Sequence, residues 1–133
     1  TGLIIVYIAQ SLPLAIWILS EFMKQISRRR KGRRLQNLVR AKILETFDIL
    51  RPTDVSIAKT GEGGAGIKLS KIAKRILPYQ FECKYQERLS TLHRWFNQSR
   101  KHGRLEPILI CKMNDKKPLL VMDLDHFFDI IKE

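Results

Sequence analysis

The sequence is poor in cysteine and in acidic side chains. Cys83 and Cys111 are the only 2 cysteines in 133 residues, and neither stands in a Cys-x-x-Cys or Cys/His ligand pattern. This argues against a zinc ribbon and against a disulfide-stapled secreted domain, and favours a reducing compartment. Asp+Glu number 13 against 25 Lys+Arg, so the formal net charge is +12. Such an excess predicts a polyanionic partner, either nucleic acid or the anionic face of a membrane.

Charge is nearly absent from the N-terminal stretch. Glu21 and Lys24 are the only charged side chains in residues 1–26, so the whole excess of +12 lies in 27–133. The uncharged part is close to the roughly 20 apolar residues that span a bilayer. The basic run 28–34 follows it and would stay cytoplasmic by the positive-inside rule. Two interpretations remain open, a transmembrane span or a buried helix of a soluble core; a signal peptide fits less well because no basic region precedes the apolar run.

The letters TGLIIVYIAQSLPLAIWILSEFMKQI also resemble the transmembrane stretch before the coupling loop in sugar-type ABC transporter permeases. In that family a Pro and a Glu-Glu-Ala-Ala-type loop would follow, whereas Ser27 and arginines follow here. A single span implies no transport function. We therefore expect an apolar helix at 1–26, transmembrane or of foreign origin, then a basic linker at 27–34 and a functional domain at 35–133. That domain would be cytoplasmic, and membrane-anchored only if 1–26 inserts.

Hydrophobic spacing alternates between helical and strand periods after Gly32. The predicted helices are 33–50, 70–77, 86–99 and 124–132. The predicted strands are 54–58, 67–69, 79–84, 107–113 and 118–122. The glycine-rich stretch 61–66 joins the first two strands as a turn; it departs from a phosphate-binding loop because Ile67 stands where that motif needs Lys. The order predicts a mixed three-layer α/β domain.

The most informative short pattern is Glu82-Cys83-Lys84. One intervening residue on a strand places the carboxylate and the ammonium on the same face. A carboxylate can hold Mg²⁺ through its oxygens, and the ammonium can orient an attacking water and offset phosphate charge. A solvated strand face explains most Glu-x-Lys sequences, so the pattern needs support from its context.

Four motifs in order supply that context. They are Lys31-Gly32-Arg33-Arg34-Leu35-Gln36-Asn37-Leu38-Val39, Phe81-Glu82-Cys83-Lys84, Trp95-Phe96-Asn97-Gln98 and the apolar pair of runs in 107–122. Together they resemble the first helix, the Glu-Cys-Lys strand, the Gln-bearing helix and the closing hairpin of PD-(D/E)XK nucleases, in the Holliday junction resolvase-like and phage-type branch. The resemblance implies a restriction-endonuclease-like α-β-β-β-α-β core with a mixed central sheet, preceded here by the apolar helix.

The resemblance also implies roles for individual residues. Glu82 would be a metal ligand, Lys84 the catalytic lysine, Gln36 an accessory group near the metal and Gln98 a contact to substrate or water, with Mg²⁺ as cofactor. The family's first metal ligand, an Asp before the returning strand, is replaced here by Gly66. The nearest carboxylates that would substitute for it are Asp54 and Glu62. Losing a hard oxygen ligand weakens Mg²⁺ binding, so activity is expected to be impaired.

Three basic clusters flank the predicted site and fit a phosphate-backbone footprint. Their members are Arg28, Arg29, Arg30, Lys31, Arg33 and Arg34; Lys68, Lys71, Lys74 and Arg75; and Arg94, Arg100, Lys101 and Arg104. No base-reading motif is visible, so recognition of backbone or structure is expected. Asp123 and Asp125 fit the N-cap and first turn of the last helix better than a metal site.

The sequence therefore predicts a Mg²⁺-dependent endonuclease acting on duplex, branched or otherwise structured DNA, with Gly66 limiting its activity. Resolvase-like members of the fold commonly dimerise, which makes a homodimer a further expectation. Two alternatives stand beside it: a non-catalytic DNA-binding module on the same fold, and a membrane-anchored basic protein that binds anionic lipid.

Overall fold

A computed structural model of the chain describes residues 2–59, 61 and 66–133, with side chains from residue 12 onward. Four helices are present in this part: α1 Gly2–Thr46, α2 Lys71–Ile76, α3 Ser90–Arg100 and α4 Leu124–Ile131. The strands are β1 Val55–Ile57, β2 Ile67–Leu69, β3 Leu109–Cys111 and β4 Leu119–Val121, and a 3-10 turn covers Pro52–Asp54. The predicted mixture of helix and strand is confirmed. The strands form two separate antiparallel pairs, β1–β2 and β3–β4.

Helix α1 is far longer than the predicted helix over 33–50. It runs through the stretch 27–34 that the composition indicated as a linker, and Pro13 lies inside it. The physical reason is local: Arg, Lys, Gln and Leu are all good helix formers, and the single Gly32 costs only about 1 kcal/mol relative to Ala. A change in composition from apolar to basic therefore does not interrupt the helix.

The large apolar side chains of residues 12–23 lie mostly outside the core. Exposed members are Leu12, Leu14, Ile16, Trp17, Ile18, Leu19, Phe22 and Met23. Across the described part of the chain, no helix combines the length and apolar character needed to cross a membrane.

The hydrophobic core forms where the C-terminal half of α1 meets the first hairpin. Ile43 of α1, Val55 of β1 and Leu77 are completely buried. The remaining members of this core are Val39, Leu50, Ile67, Ala73 and Phe128. The helical hydrophobic spacing predicted over 33–50 agrees with the burial of Val39 and Ile43, which lie four residues apart on one face of α1.

The β1–β2 hairpin is fixed to α1 by hydrogen bonds as well as by packing. Val55 pairs with Leu69 and Ile57 with Ile67 in antiparallel register. The Arg40 guanidinium donates to the carbonyl of Val55 and to that of Pro52, each at 2.7 Å. These bonds satisfy backbone oxygens at the start of β1 and set the hairpin against the helix.

The strand predicted over 79–84 is wrong, because the described structure assigns no strand there. The segment packs by side chains instead of by a backbone ladder. Tyr79 meets Phe127 of α4 edge-on with ring centroids 5.4 Å apart, and Phe81 stacks against Phe128 at 6.5 Å. Aromatic packing thus holds the segment beside α4.

The C-terminal part contains a hairpin and the last helix. The predicted apolar runs over 107–113 and 118–122 do pair, through the shorter β3 and β4. Asp123 is the N-cap residue of α4 and Asp125 lies in its first turn, as predicted. Asp123 pairs with Arg100 of α3 at 2.9 Å, and Asp125 pairs with Lys42 of α1. These two ion pairs connect α4 to α3 and to α1.

Candidate nucleic-acid interface

Glu82 and Lys84 lie on the same side of the segment that follows α2. Phe81 and Cys83 are half-buried and pack on the core, while Glu82 and Lys84 point outward. The Lys84 ammonium is 3.1 Å from a Glu82 carboxylate oxygen, and the two side chains are 73% and 61% exposed. The period-two alternation predicted from the sequence is therefore present without strand pairing. An exposed ion pair of this kind adds little to stability, so it is available for interaction with a ligand.

The thiol between them is in a different environment. Cys83 faces the core, and burial, aided by the negative charge of Glu82, raises the pKa of the Cys83 thiol. A raised pKa leaves less thiolate at neutral pH, which disfavours nucleophilic attack by Cys83, and its side chain packs against the core.

Gln36 lies beside Gly66, the position at which the resemblance would require an aspartate. A Cβ added to Gly66 would lie 2.8 Å from Nε2 of Gln36. Helix α1 packs on β1, and Gly66 accepts a hydrogen bond from the N–H of Ala58 at 3.0 Å immediately before β2 begins. Two positions of the resemblance thus meet in space, although they are distant in sequence.

Asp54 has local hydrogen-bond partners. One carboxylate oxygen accepts from the Arg51 N–H at 2.8 Å, and the other accepts from the Ser70 hydroxyl at 2.7 Å. The Arg51 N–H, followed by the Ser70 hydroxyl, lowers the pKa of Asp54. Both oxygens serve to close the base of the β1–β2 hairpin. These two bonds give Asp54 a structural role in the hairpin.

The described residues provide few side chains that could bind the predicted Mg²⁺ ion. Glu62 lies outside the described residues. Within the described part, no three His, Cys, Asp or Glu side chains are grouped so as to hold a metal ion. Among the described residues of the expected set, position 66 has no carboxylate, Asp54 is bonded within the hairpin, and Glu82 is exposed and paired with Lys84. The described residues therefore do not by themselves make a Mg²⁺ site.

Gln98 is exposed near the end of α3. That helix packs mainly on β3, so the structure places Gln98 in the C-terminal part of the molecule. The resemblance would bring Gln98 to Glu82 and Lys84, whereas in the described part of the chain these two residues pair with each other.

The basic run of α1 meets the segment that follows Lys84. Lys31 holds its ammonium 3.8 Å from a Glu87 carboxylate oxygen and 5.7 Å from the ring centroid of Tyr85. A groove of about 570 Å³ opens between helix and segment. It is lined by Arg28, Lys31, Tyr85, Gln86, Glu87 and Arg88, and we name it the Tyr85 groove. Three cations and one carboxylate give it a positive balance.

The other predicted basic residues are distributed over two further places. Lys68 and Lys74 line an open cavity of about 710 Å³ with Pro78, Tyr79 and Gln80. Lys71 and Arg75 are exposed on α2, and Arg29, Arg30, Arg33 and Arg34 are exposed on α1. In the third cluster Arg100 is paired with Asp123 and lies over the Phe96 ring at 5.0 Å, so only part of this cluster is available; Lys101 is exposed.

Tyr85 and Arg88 line the Tyr85 groove but are not among the residues predicted from the sequence. Tyr85 directly follows the Glu-Cys-Lys motif and has basic residues near it on both sides, a combination that surfaces binding single-stranded nucleic acid use. The sequence does not reveal that Lys31 of α1 lies against this tyrosine.

No profile of a known protein family matches the chain, and comparison with curated proteins and with solved structures finds no match either.

Proposed function

We propose that the chain is a DNA-binding domain with the layout of a PD-(D/E)XK endonuclease, three-layered as that resemblance implies. The observation that supports this most is the contact of Lys31 with Tyr85 and Glu87. This contact places the basic run of α1 beside Tyr85 and Glu87, which closely follow Glu82 and Lys84 in the sequence. A phosphate backbone bound by the run would therefore pass the Glu-Lys pair.

The concave shape of the Tyr85 groove favours DNA over a membrane surface. Arg28 and Arg88 line it together with Lys31, whose ammonium lies near Glu87 and Tyr85, so a ligand that enters the groove is surrounded by cations. A phosphodiester chain can follow such a groove, whereas a lipid surface would meet only the outermost cations. The described residues include no base-reading helix motif, so contacts to phosphate are expected to dominate.

A second candidate function is hydrolysis of branched or structured DNA with Mg²⁺. It is favoured by the meeting of Gln36 with Gly66 and by the outward pair Glu82 and Lys84. Magnesium would supply charge neutralisation at the scissile phosphate, and Glu82 is the residue that would hold it. Since Gly66 contributes no carboxylate, we expect binding to exceed cleavage by far.

DNA binding is tested by anisotropy titration of labelled duplex, single-stranded and four-way DNA between 50 and 200 mM salt. Affinity should fall steeply with salt, by about 0.9 log units per log unit of salt for each phosphate contact. Replacing Arg28, Arg29 and Arg30 together by Gln should reduce this slope by up to about 3.

A matched control removes the same charge elsewhere. Lys112, Lys116 and Lys117 lie on the β3–β4 hairpin, and their joint replacement by Gln lowers the net charge equally. This variant should keep the salt slope of the original chain. Equal losses in both triple variants would indicate nonspecific attraction and refute the proposed surface, and preferential binding to phosphatidylserine vesicles over DNA would support the lipid alternative.

A further inference from the structure

We propose that the Tyr85 groove binds one unpaired nucleotide, with its base stacked on the Tyr85 ring and its phosphates held by Arg28 and Arg88. The inference rests on the proposed function and adds a substrate class to it: DNA that presents an unpaired base, as at a bulge, a gap or a branch point.

Tyr85 is exposed but held in place. Its side chain is 51% exposed, yet the Lys31 ammonium lies over the ring and is itself fixed by Glu87. A cation over an aromatic ring is attracted by the ring quadrupole, and this restrains the side chain without covering it. About half of the surface of Tyr85 is therefore exposed to solvent while the Lys31 ammonium restrains its ring.

The surroundings of the ring match the two parts of a nucleotide. The aromatic surface can stack any base, because every base has a π face. Arg28 and Arg88 are planar, permanently charged groups with several N–H donors, which suits them to phosphate oxygens. The Gln86 side chain lines the same groove and can donate to and accept from a base edge. The volume of about 570 Å³ is within the range of small-molecule sites.

The stacking partner must be an unpaired base. In a duplex both faces of each base are covered by its neighbours, so a protein ring gains access only when a base leaves the stack. This predicts a difference between DNA structures that phosphate contacts alone do not produce.

Tyr79 provides a matched comparison within the chain. It is exposed to a similar extent, at 46%, but its ring packs edge-on against Phe127 as part of the contact with α4. It lies in the wall of a different cavity, beside Lys68 and Lys74. Substitutions of Tyr79 and Tyr85 can therefore distinguish loss of packing from loss of ligand stacking.

The test uses the full chain and three labelled probes in anisotropy titrations: a duplex, the same duplex with a one-nucleotide bulge, and a single strand. Tyr85→Ala should weaken binding of the bulged and single-stranded probes by about 5- to 100-fold, as expected for loss of one stacked base. Duplex affinity should change less than about 2-fold. Tyr85→Phe should bind all three probes like the original chain, and Tyr85→Leu, which keeps apolar bulk without a π face, should resemble Tyr85→Ala.

The outcomes separate this inference from the function on which it rests. If none of the three probes shows salt-sensitive binding, the proposed function is refuted. Salt-sensitive binding in which Tyr85→Ala weakens all three probes equally, or in which Tyr85→Phe fails to restore affinity, would overturn the nucleotide site and leave DNA binding intact. Tyr79→Ala should leave the ratio of bulged to duplex affinity unchanged, and a change as large as that of Tyr85→Ala would also overturn the site.

Discussion

The amide of Gln36 occupies the space that a side chain at position 66 would need. A Cβ on Gly66 would lie 2.8 Å from Nε2 of Gln36, and the next nearest atom is Cδ of the same side chain at 3.8 Å. The obstacle is thus the far end of a flexible side chain and not backbone. Gly66 also has no left-handed backbone conformation, since among the described glycines only Gly61 has a positive φ.

Gly66→Asp should therefore fold, with a free energy of unfolding within about 1 kcal/mol of the original, because Gln36 can move aside. If the resemblance is correct, the variant should also gain Mg²⁺-dependent cleavage of four-way or duplex DNA. The new carboxylate would join Glu82 as a hard oxygen ligand. Cleavage is followed on end-labelled DNA with Mg²⁺ and with EDTA.

Gly66→Asn is the control for Gly66→Asp, since it has the same shape without the charge. It should fold equally well and cleave no better than the original chain. Adding Glu82→Gln to Gly66→Asp should remove the gained activity. Cleavage that persists in this double variant would refute the assignment of Glu82.

Asp54→Ala should lower the free energy of unfolding at neutral pH, because it removes the acceptors of both the Arg51 N–H and the Ser70 hydroxyl. The pKa of Asp54 is lowered in the folded chain, so its contribution is present above the unfolded pKa of about 3.9. The contribution is lost as pH falls through the lower, folded pKa. Urea unfolding at pH 7 and at successively more acidic values should show the two chains converging.

Asp48→Ala serves as the comparison for Asp54→Ala, because Asp48 is an exposed aspartate nearby in the sequence. It should leave both stability and its pH dependence nearly unchanged. A loss at neutral pH as large as that of Asp54→Ala would show that the hairpin bonds are not the cause.

Two isoleucines close together in the sequence should differ in how much their truncation lowers the free energy of unfolding. Ile43→Ala should cost about 2–5 kcal/mol in free energy of unfolding, since Ile43 is 0% exposed and its loss leaves a cavity between α1 and β1. Ile49→Ala should stay within about 0.5 kcal/mol, since Ile49 is 73% exposed. Urea denaturation followed by circular dichroism measures both, and similar losses would contradict the described packing.

Cys83 should alkylate slowly, because burial, and secondarily the charge of Glu82, raises the pKa of its thiol. The measurement uses a chain in which Cys111→Ser leaves Cys83 as the single thiol. Iodoacetamide should react slowest with the native chain, faster after Glu82→Gln and fastest in urea, because burial is the larger cause. A larger effect of Glu82→Gln than of unfolding would reverse that order of causes.

Local signals in the sequence were sufficient for some elements. Serine is among the residue types preferred at a helix N-cap, and the hydroxyl of Ser70 accepts from the Ala73 N–H at 3.1 Å. Pro78 cannot continue that helix, and α2 ends two residues before it, at Ile76. The outward placement of Glu82 and Lys84 followed from period-two alternation, which depends only on an extended backbone.

Other features depend on contacts that no local pattern encodes. The sequence favoured a strand at 79–84, but aromatic packing of Tyr79 and Phe81 on α4 replaced strand pairing. The contact between Lys31 and Tyr85 joins distant parts of the chain, and so does that between Gln36 and Gly66. The resemblance predicted that Gln36 and the residue at position 66 lie near one site. No sequence pattern predicted that Tyr85 lies beside α1.

Helix α1 carries the exposed apolar side chains and the basic run on one axis. At about 1.5 Å per residue its 45 residues extend roughly 67 Å. Because both stretches belong to one continuous helix, the directions of their side chains around the helix axis are fixed relative to each other. A partner bound to the apolar stretch would therefore be held at one angle to the Tyr85 groove. One alanine inserted after Lys24 would rotate the preceding stretch by about 100° relative to the groove, and four would nearly restore its direction one turn farther away.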